Sequence, residues 1–275
     1  MRLSRFAAIT SAFFLTSALA LTGASAAASA QLTYATGYVA LGDSYSSGVG
    51  AGSYDSGSGS CKRSTKAYPA LWSAAHTPSS FSFTACSGAR TGDVLSGQLG
   101  PLNSTTGLVS ITVGGNDAGF ADTMTTCALQ GESACLARVA EAVKYINNTL
   151  PGKLDNVYDA ISGKAPAARV VVLGYPHFYE LNGSCAAGLT EKSRAAINGA
   201  ADEINDVTAK RAANHGFTFA DVNSTFAGHE LCSGSPWLHS VTFPVENSYH
   251  PTAAGQSGGY LPVFASGARE FDSAE

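Results

Sequence analysis

The chain has 275 residues, of which 45% are apolar and only 13% charged, with 16 Lys and Arg against 20 Asp and Glu. So low a charge content with a slightly negative balance excludes a basic nucleic-acid binder and an acidic disordered tail. No Gly-X-Y period and no internal repeat is visible, which excludes collagen-like and solenoid folds.

Residues 1–30 read as an export signal. Arg2 and Arg5 precede an apolar stretch over residues 6–21, and the run from Ala24-Ser25-Ala26 to Ala28-Ser29-Ala30 offers two small-residue cleavage patterns. The stretch is short for a membrane span, and no later segment approaches about 18 uninterrupted apolar residues. The expectation is a secreted, extracellular protein without stable membrane insertion; the competing reading is an uncleaved anchor. Residues 31–275 then suit a single domain with a substantial core.

Beyond the signal, short runs rich in β-branched and aromatic residues alternate with helical patterns. Residues 38–41 predict a strand and 67–75 a helix; 81–84 and 108–113 predict the second and third strands. Helices are expected over 134–148 and 154–162, a fourth strand over 169–173, a long helix over 191–214 and a fifth strand over 217–222. In the long helix Ile197, Ala201, Ile204 and Val207 recur at steps of four and three, and Gly216 lies where the helix would end. Continuous apolar runs suit parallel strands buried on both faces. The order predicts an α/β fold, a three-layer α/β/α arrangement around a parallel, roughly five-stranded sheet.

Cys61, Cys86, Cys127, Cys135, Cys185 and Cys232 all follow the signal, and none forms a C-x-x-C pair. In an oxidising compartment a disulfide framework is the default. Fifteen connectivities are open; the sequential set, Cys61–Cys86, Cys127–Cys135 and Cys185–Cys232, is expected because near neighbours close the shortest loops. Their expected role is durability. No His and Cys spacing suits a zinc site.

Ligands in α/β folds gather beyond the carboxyl ends of the strands, so the residues there carry the functional argument. After the first strand comes Gly42-Asp43-Ser44-Tyr45-Ser46-Ser47-Gly48, where a serine at a strand-to-helix turn would expose its hydroxyl near the positive end of a helix. After the second comes Ala85-Cys86-Ser87-Gly88-Ala89, and after the third Gly114-Gly115-Asn116-Asp117. A glycine admits a ligand close to a backbone N–H, and an asparagine offers a donor on a short stem, as a developing oxyanion requires. Asn247-Ser248-Tyr249-His250-Pro251 stands near the C-terminus. Singly, each block also reads as an ordinary turn or a structural histidine.

In this order the four blocks resemble the SGNH or GDSL hydrolase family, whose fold is flavodoxin-like. They resemble above all its secreted bacterial lipases and esterases with three disulfides, phospholipase A1-like members included. The resemblance implies Ser44 as nucleophile and His250 as general base. It also implies an oxyanion hole made by the Ser44 and Gly88 backbone N–H groups and the Asn116 side chain. The implied reaction is acyl transfer to water through a serine acyl-enzyme, with no metal or organic cofactor. The expected substrate is a lipid ester, acylglycerols first and phospholipids as further candidates. A carbohydrate acetylesterase is the same-reaction rival, and a non-catalytic secreted binding module the rival of another class. A monomer is the default expectation.

One position departs from the family pattern. Many relatives carry an Asp three residues before the His, where this chain has Asn247. The Ser248 backbone carbonyl is the favoured partner for the His250 Nδ1–H, and Glu246 the alternative. Gly255-Gln256-Ser257-Gly258-Gly259 matches the G-x-S-x-G elbow of α/β-hydrolases, but no histidine follows Ser257, so the match reads as accidental. Asp43 and Asp117 are expected to cap and brace the loops rather than react. Trp237 fits either an acyl pocket or the core.

Overall fold

The apolar runs pair edge to edge. In a computed structural model, which describes residues 37–185 and 188–269, five strands form one parallel sheet in the order β2-β1-β3-β4-β5. They are β1 (Gly37–Gly42), β2 (Phe81–Phe83), β3 (Thr106–Thr112), β4 (Arg169–Leu173) and β5 (Thr218–Ala220). The expected export signal lies outside the described residues.

The helices are α1 (Ser44–Ser47), α2 (Tyr68–His76), α3 (Thr91–Asp93), α4 (Phe120–Asn148), α5 (Leu150–Lys164), α6 (Glu191–Asn214), α7 (Asn223–Phe226) and α8 (Leu261–Arg269). α4, α5 and α6 pack against one another on one face of the sheet, and α2 and α8 lie together against it. Val39, Leu41, Val109, Ile111, Val171 and Val172 of the central strands are buried, each contributing about 1.5–3 kcal/mol of apolar transfer. Among the described residues no helix is long and apolar enough to cross a membrane.

The two longest departures from the sequence expectation are helical. The helix expected over 134–148 begins at Phe120 and is broken at Gly131, whose φ of 81° and ψ of 175° only glycine adopts readily. The Cys127–Cys135 disulfide staples the two limbs across that break. α8 was not anticipated at all, because its core face is built largely from Ala and Gly beside Phe264. The other disulfides join Cys61 to Cys86 and Cys185 to Cys232. Each ties together two connections that bear on the carboxyl edge of the sheet.

Gly42 closes β1 with φ +121°, and a Cβ there would lie 2.4 Å from the Thr112 carbonyl oxygen. Only a glycine lets β1 and β3 stay paired up to the point where the chain turns into α1.

Candidate active site

The turn after β1 is held from every side. The buried Gln98 side chain accepts from the Gly42 N–H at 2.7 Å and donates to the Gly42 carbonyl at 2.8 Å. Asp43 caps α1 by accepting from the Tyr45 N–H at 3.0 Å, and it also accepts from Thr112 Oγ1 at 2.6 Å and Tyr175 OH at 2.5 Å. Burial raises the Asp43 carboxyl to about 6, against the opposing pull of those hydrogen bonds. α1 is a single turn, stopped by Gly48 in the left-handed region at φ 84°. Ser44 is its first residue.

The Ser44 hydroxyl lies 2.7 Å from His250 Nε2, and His250 Nδ1 lies 3.0 Å from the Ser248 carbonyl oxygen. A carbonyl can only accept, so the ring proton sits on Nδ1 and Nε2 is left to accept from Ser44. Burial pushes the imidazole down to about 4; the nearby His239 acts in the same direction, and the Ser248 and Glu246 backbone carbonyls act against it. The ring is therefore neutral at pH 7. Asn247 accepts from Tyr54 OH at 3.2 Å through its side-chain oxygen. The Glu246 carboxylate is ion-paired with Lys62 at the surface, so the alternative acid is engaged elsewhere.

The two loops expected to supply oxyanion donors are joined to each other. Asn116 Nδ2 donates to the Ala89 carbonyl at 3.0 Å, and Asp117 accepts from the Thr91 N–H and hydroxyl at 2.9 and 2.6 Å. Asp117 thus braces the loops. Gly88 has φ +77°, with open space where a Cβ would project. Ser44 and Asn116 open onto a cleft between α4 and α6 lined by Phe120, Met124, Val139, Ile197 and Ile204, with Tyr175 beside them. The cleft holds about 640 Å³ of space including its open mouth, and nearly all of its wall is apolar.

A family model described as GDSL-like lipase/acylhydrolase matches residues 40–257. The chain belongs to the GDSL-like lipase/acylhydrolase family. It is 77% identical to a lipase of Streptomyces rimosus over 97% of this chain and 99% of the relative, and 69% identical to lipase 1 of Streptomyces coelicolor over 96% and 98%. The crystal structure of the extracellular lipase from S. rimosus superposes with a TM-score of 0.83 at 79% identity, covering 85% of this chain and 100% of that one. Phospholipase A1 from Streptomyces albidoflavus NA297 also gives 0.83, at 67% identity over 84% and 99%. As a member of the family the protein is a serine ester hydrolase with the three-layer fold.

Within this GDSL hydrolase the structure also explains the residues that mimic another family. Gly255–Tyr260 is a π-helical turn in which the Ser257 hydroxyl donates to the Ala254 carbonyl. Gln256 accepts from the Tyr68 N–H at 2.9 Å and donates to the Tyr45 carbonyl at 3.0 Å, pinning α1 from behind. Gly258 and Gly259 meet the rings of Trp237 and Phe226, where a Cβ would come within 2.7 and 2.2 Å. The small residues serve packing. Trp237 stacks on His229 and meets Phe226 edge-on, and it is not part of the cleft wall.

Sequence reasoning missed Tyr175, two residues past β4. Its hydroxyl donates to Asp43 and accepts from the Gly115 N–H at 3.2 Å, linking the serine turn to the asparagine loop. Asn205 fixes its backbone at both N–H and carbonyl, each at 2.8 Å. The available signal was its place just beyond the carboxyl end of a strand, which the other three loops share. Tyr175→Phe will lower kcat about tenfold, with KM within about twofold, because a charge-assisted buried hydrogen bond contributes about 1.5–3 kcal/mol. Steady-state kinetics on a soluble ester check it; a change confined to KM would contradict a positioning role.

Proposed function

We propose that the protein is a secreted lipase with phospholipase capacity, which hydrolyses long-chain lipid esters through a Ser44–His250 dyad. The observation that carries the reading is the 2.7 Å contact between Ser44 and the neutral His250 at the mouth of an apolar cleft. The names of the similar Streptomyces proteins, lipase and phospholipase A1, support the substrate class. In this reading residues 1–30 are removed on export, residues 31–275 form the mature domain, and the protein acts as a monomer. The extracellular description of the S. rimosus lipase supports export.

In the proposed mechanism Ser44 Oγ attacks the ester carbonyl as His250 Nε2 takes its proton. The carbonyl oxygen becomes an oxyanion, held by the Ser44 and Gly88 backbone N–H groups and by the Asn116 Nδ2 hydrogen not given to Ala89. Collapse breaks the ester C–O bond, and the departing alkoxide receives the proton from His250. Water then attacks the acyl-enzyme, His250 takes its proton, and the acid leaves as Ser44 is restored. The imidazolium formed twice per cycle is steadied by the Ser248 carbonyl dipole. The cleft between α4 and α6 takes the acyl chain.

Hydrolysis of nitrophenyl esters from acetyl to palmitoyl tests this. Rates that rise with chain length, and vanish in Ser44→Ala, are expected. Activity confined to acetyl would replace the reading with a carbohydrate acetylesterase. The pH profile gives a second check. Nε2 accepts a proton only while the ring is neutral, so an imidazole held at about 4 places the complete loss of kcat/KM near pH 4, below the smaller loss that protonation of the buried Asp43 near pH 6 brings. Complete loss of activity along a limb at the ordinary histidine value of about 6.5 would contradict the buried, carbonyl-bonded ring. Glu246→Gln should leave both rate and profile within about twofold, since an exposed ion pair contributes little.

A further inference from the structure

Large apolar side chains left in water are informative when they cluster. Among the described residues six are exposed: Leu95, Leu129, Leu181, Val241, Phe243 and Val245. The six lie in the connections that follow β2, β3, β4 and β5, and Val241, Phe243 and Val245 share the connection that carries His250. Leu95 stands three residues before Gln98, which clamps Gly42. Leu129 is on the first limb of α4, whose Met124 lines the cleft. Leu181 stands two residues beyond Tyr179, whose ring meets that of Tyr249.

The last three are presented by one short loop. Val241 is 64%, Phe243 95% and Val245 66% exposed. The loop closes on itself: the Thr242 N–H donates to Ser248 Oγ, the Asn247 N–H to the Pro244 carbonyl and the Ser248 N–H to the Val245 carbonyl, each at 3.0 Å. These apolar residues are thus held outward by the same turn that aims the Ser248 carbonyl at His250. Residues 240–248 contain one charged side chain, Glu246, and Lys62 neutralises it. The loop has no cationic cluster to favour an anionic surface.

We propose that this face docks on an uncharged or zwitterionic lipid–water boundary, with the Val241–Phe243–Val245 loop as its anchor and Leu129 as a second point of contact. The inference rests on the reading of the protein as a lipid-ester hydrolase, whose substrate is concentrated at such a boundary. Docking there sets Ser44 and the cleft mouth against the layer that holds the acyl chains.

The test uses sucrose-loaded phosphatidylcholine vesicles and the mature protein in a Ser44→Ala background, so that no lipid is consumed. Co-sedimentation is expected to show Phe243→Ser lowering the partition coefficient about tenfold, as loss of one buried aromatic side chain implies. Leu129→Ser, remote from the His250 turn, should lower it several-fold. With Ser44 intact, both variants should hydrolyse soluble nitrophenyl butyrate at the unsubstituted rate, which shows that fold and site are preserved. Equal vesicle binding by both variants and the unsubstituted protein would overturn the proposal. So would a dimer in light scattering that Phe243→Ser converts to monomer, since the face would then belong to a second copy. Failure of the folded, unsubstituted protein to cleave the soluble ester would instead sink the hydrolase reading, while sedimentation still reports on docking independently.

Discussion

Ser44→Ala will lower kcat on a soluble nitrophenyl ester by about five orders of magnitude, and His250→Ala by a similar factor. The expectation follows from how the two groups share one step. In the proposed mechanism Nε2, 2.7 Å away, takes the Ser44 proton as Oγ attacks, and it has nothing to remove without the hydroxyl. Groups that act as a unit lose nearly all of their joint effect when either is removed, so the double variant should be scarcely slower than each single one. Circular dichroism and thermal melting should change little, because Ala fits the first position of α1 and Ser44 Oγ makes no other hydrogen bond among the described residues. Fluorophosphonate labelling gives a direct readout: incorporation in the unsubstituted protein and none in Ser44→Ala. Full labelling of Ser44→Ala would move the nucleophile elsewhere.

Asn116→Ala should cost about 10²–10³-fold in kcat, or about 2.7–4 kcal/mol of transition-state stabilisation. KM should stay within a few-fold, since the oxyanion exists only after attack and a ground-state ester carbonyl needs the donor far less. The substitution also removes the bond to the Ala89 carbonyl, so a stability loss of about 1 kcal/mol should accompany it. Asn116→Asp separates the two effects. It keeps the size of the side chain but turns a donor into an anion, and it should be slower still. A kcat for Asn116→Ala within threefold of the unsubstituted value would show that the backbone donors suffice alone.

The parts of this protein that were legible from sequence share one property: their signal is local. The central strands announced themselves because burial on both faces demands unbroken runs such as Val170-Val171-Val172. Ser44, Gly88 and Asn116 each stand beyond the end of a strand, with the residue type that the proposed chemistry requires. The unread parts work at a distance. Tyr175 meets Asp43 across 132 positions of sequence and Gly115 across 60, and Gln98 reaches Gly42 across 56. Gln256 was passed over inside a motif of another family, because its value lies in two backbone groups of Tyr45 and Tyr68 that no local pattern reveals. The first limb of α4 was hidden for a different reason. Residues 120–130 are rich in Thr and small residues, and a disulfide and one glycine, rather than an apolar stripe, set where that limb ends.

The partner of His250 Nδ1 has a consequence for inheritance as well as for chemistry. An orienting carboxylate is the product of one codon, and a single base change can delete it. The Ser248 carbonyl belongs to the main chain, so every amino acid that the turn accepts carries the same oxygen. What selection must preserve at this point is a path of the backbone, maintained jointly by Thr242, Pro244, Val245 and the Ser248 hydroxyl. The identity of any one of them can drift as long as the turn survives. The third participant of the proposed mechanism is then written into a shape rather than a letter.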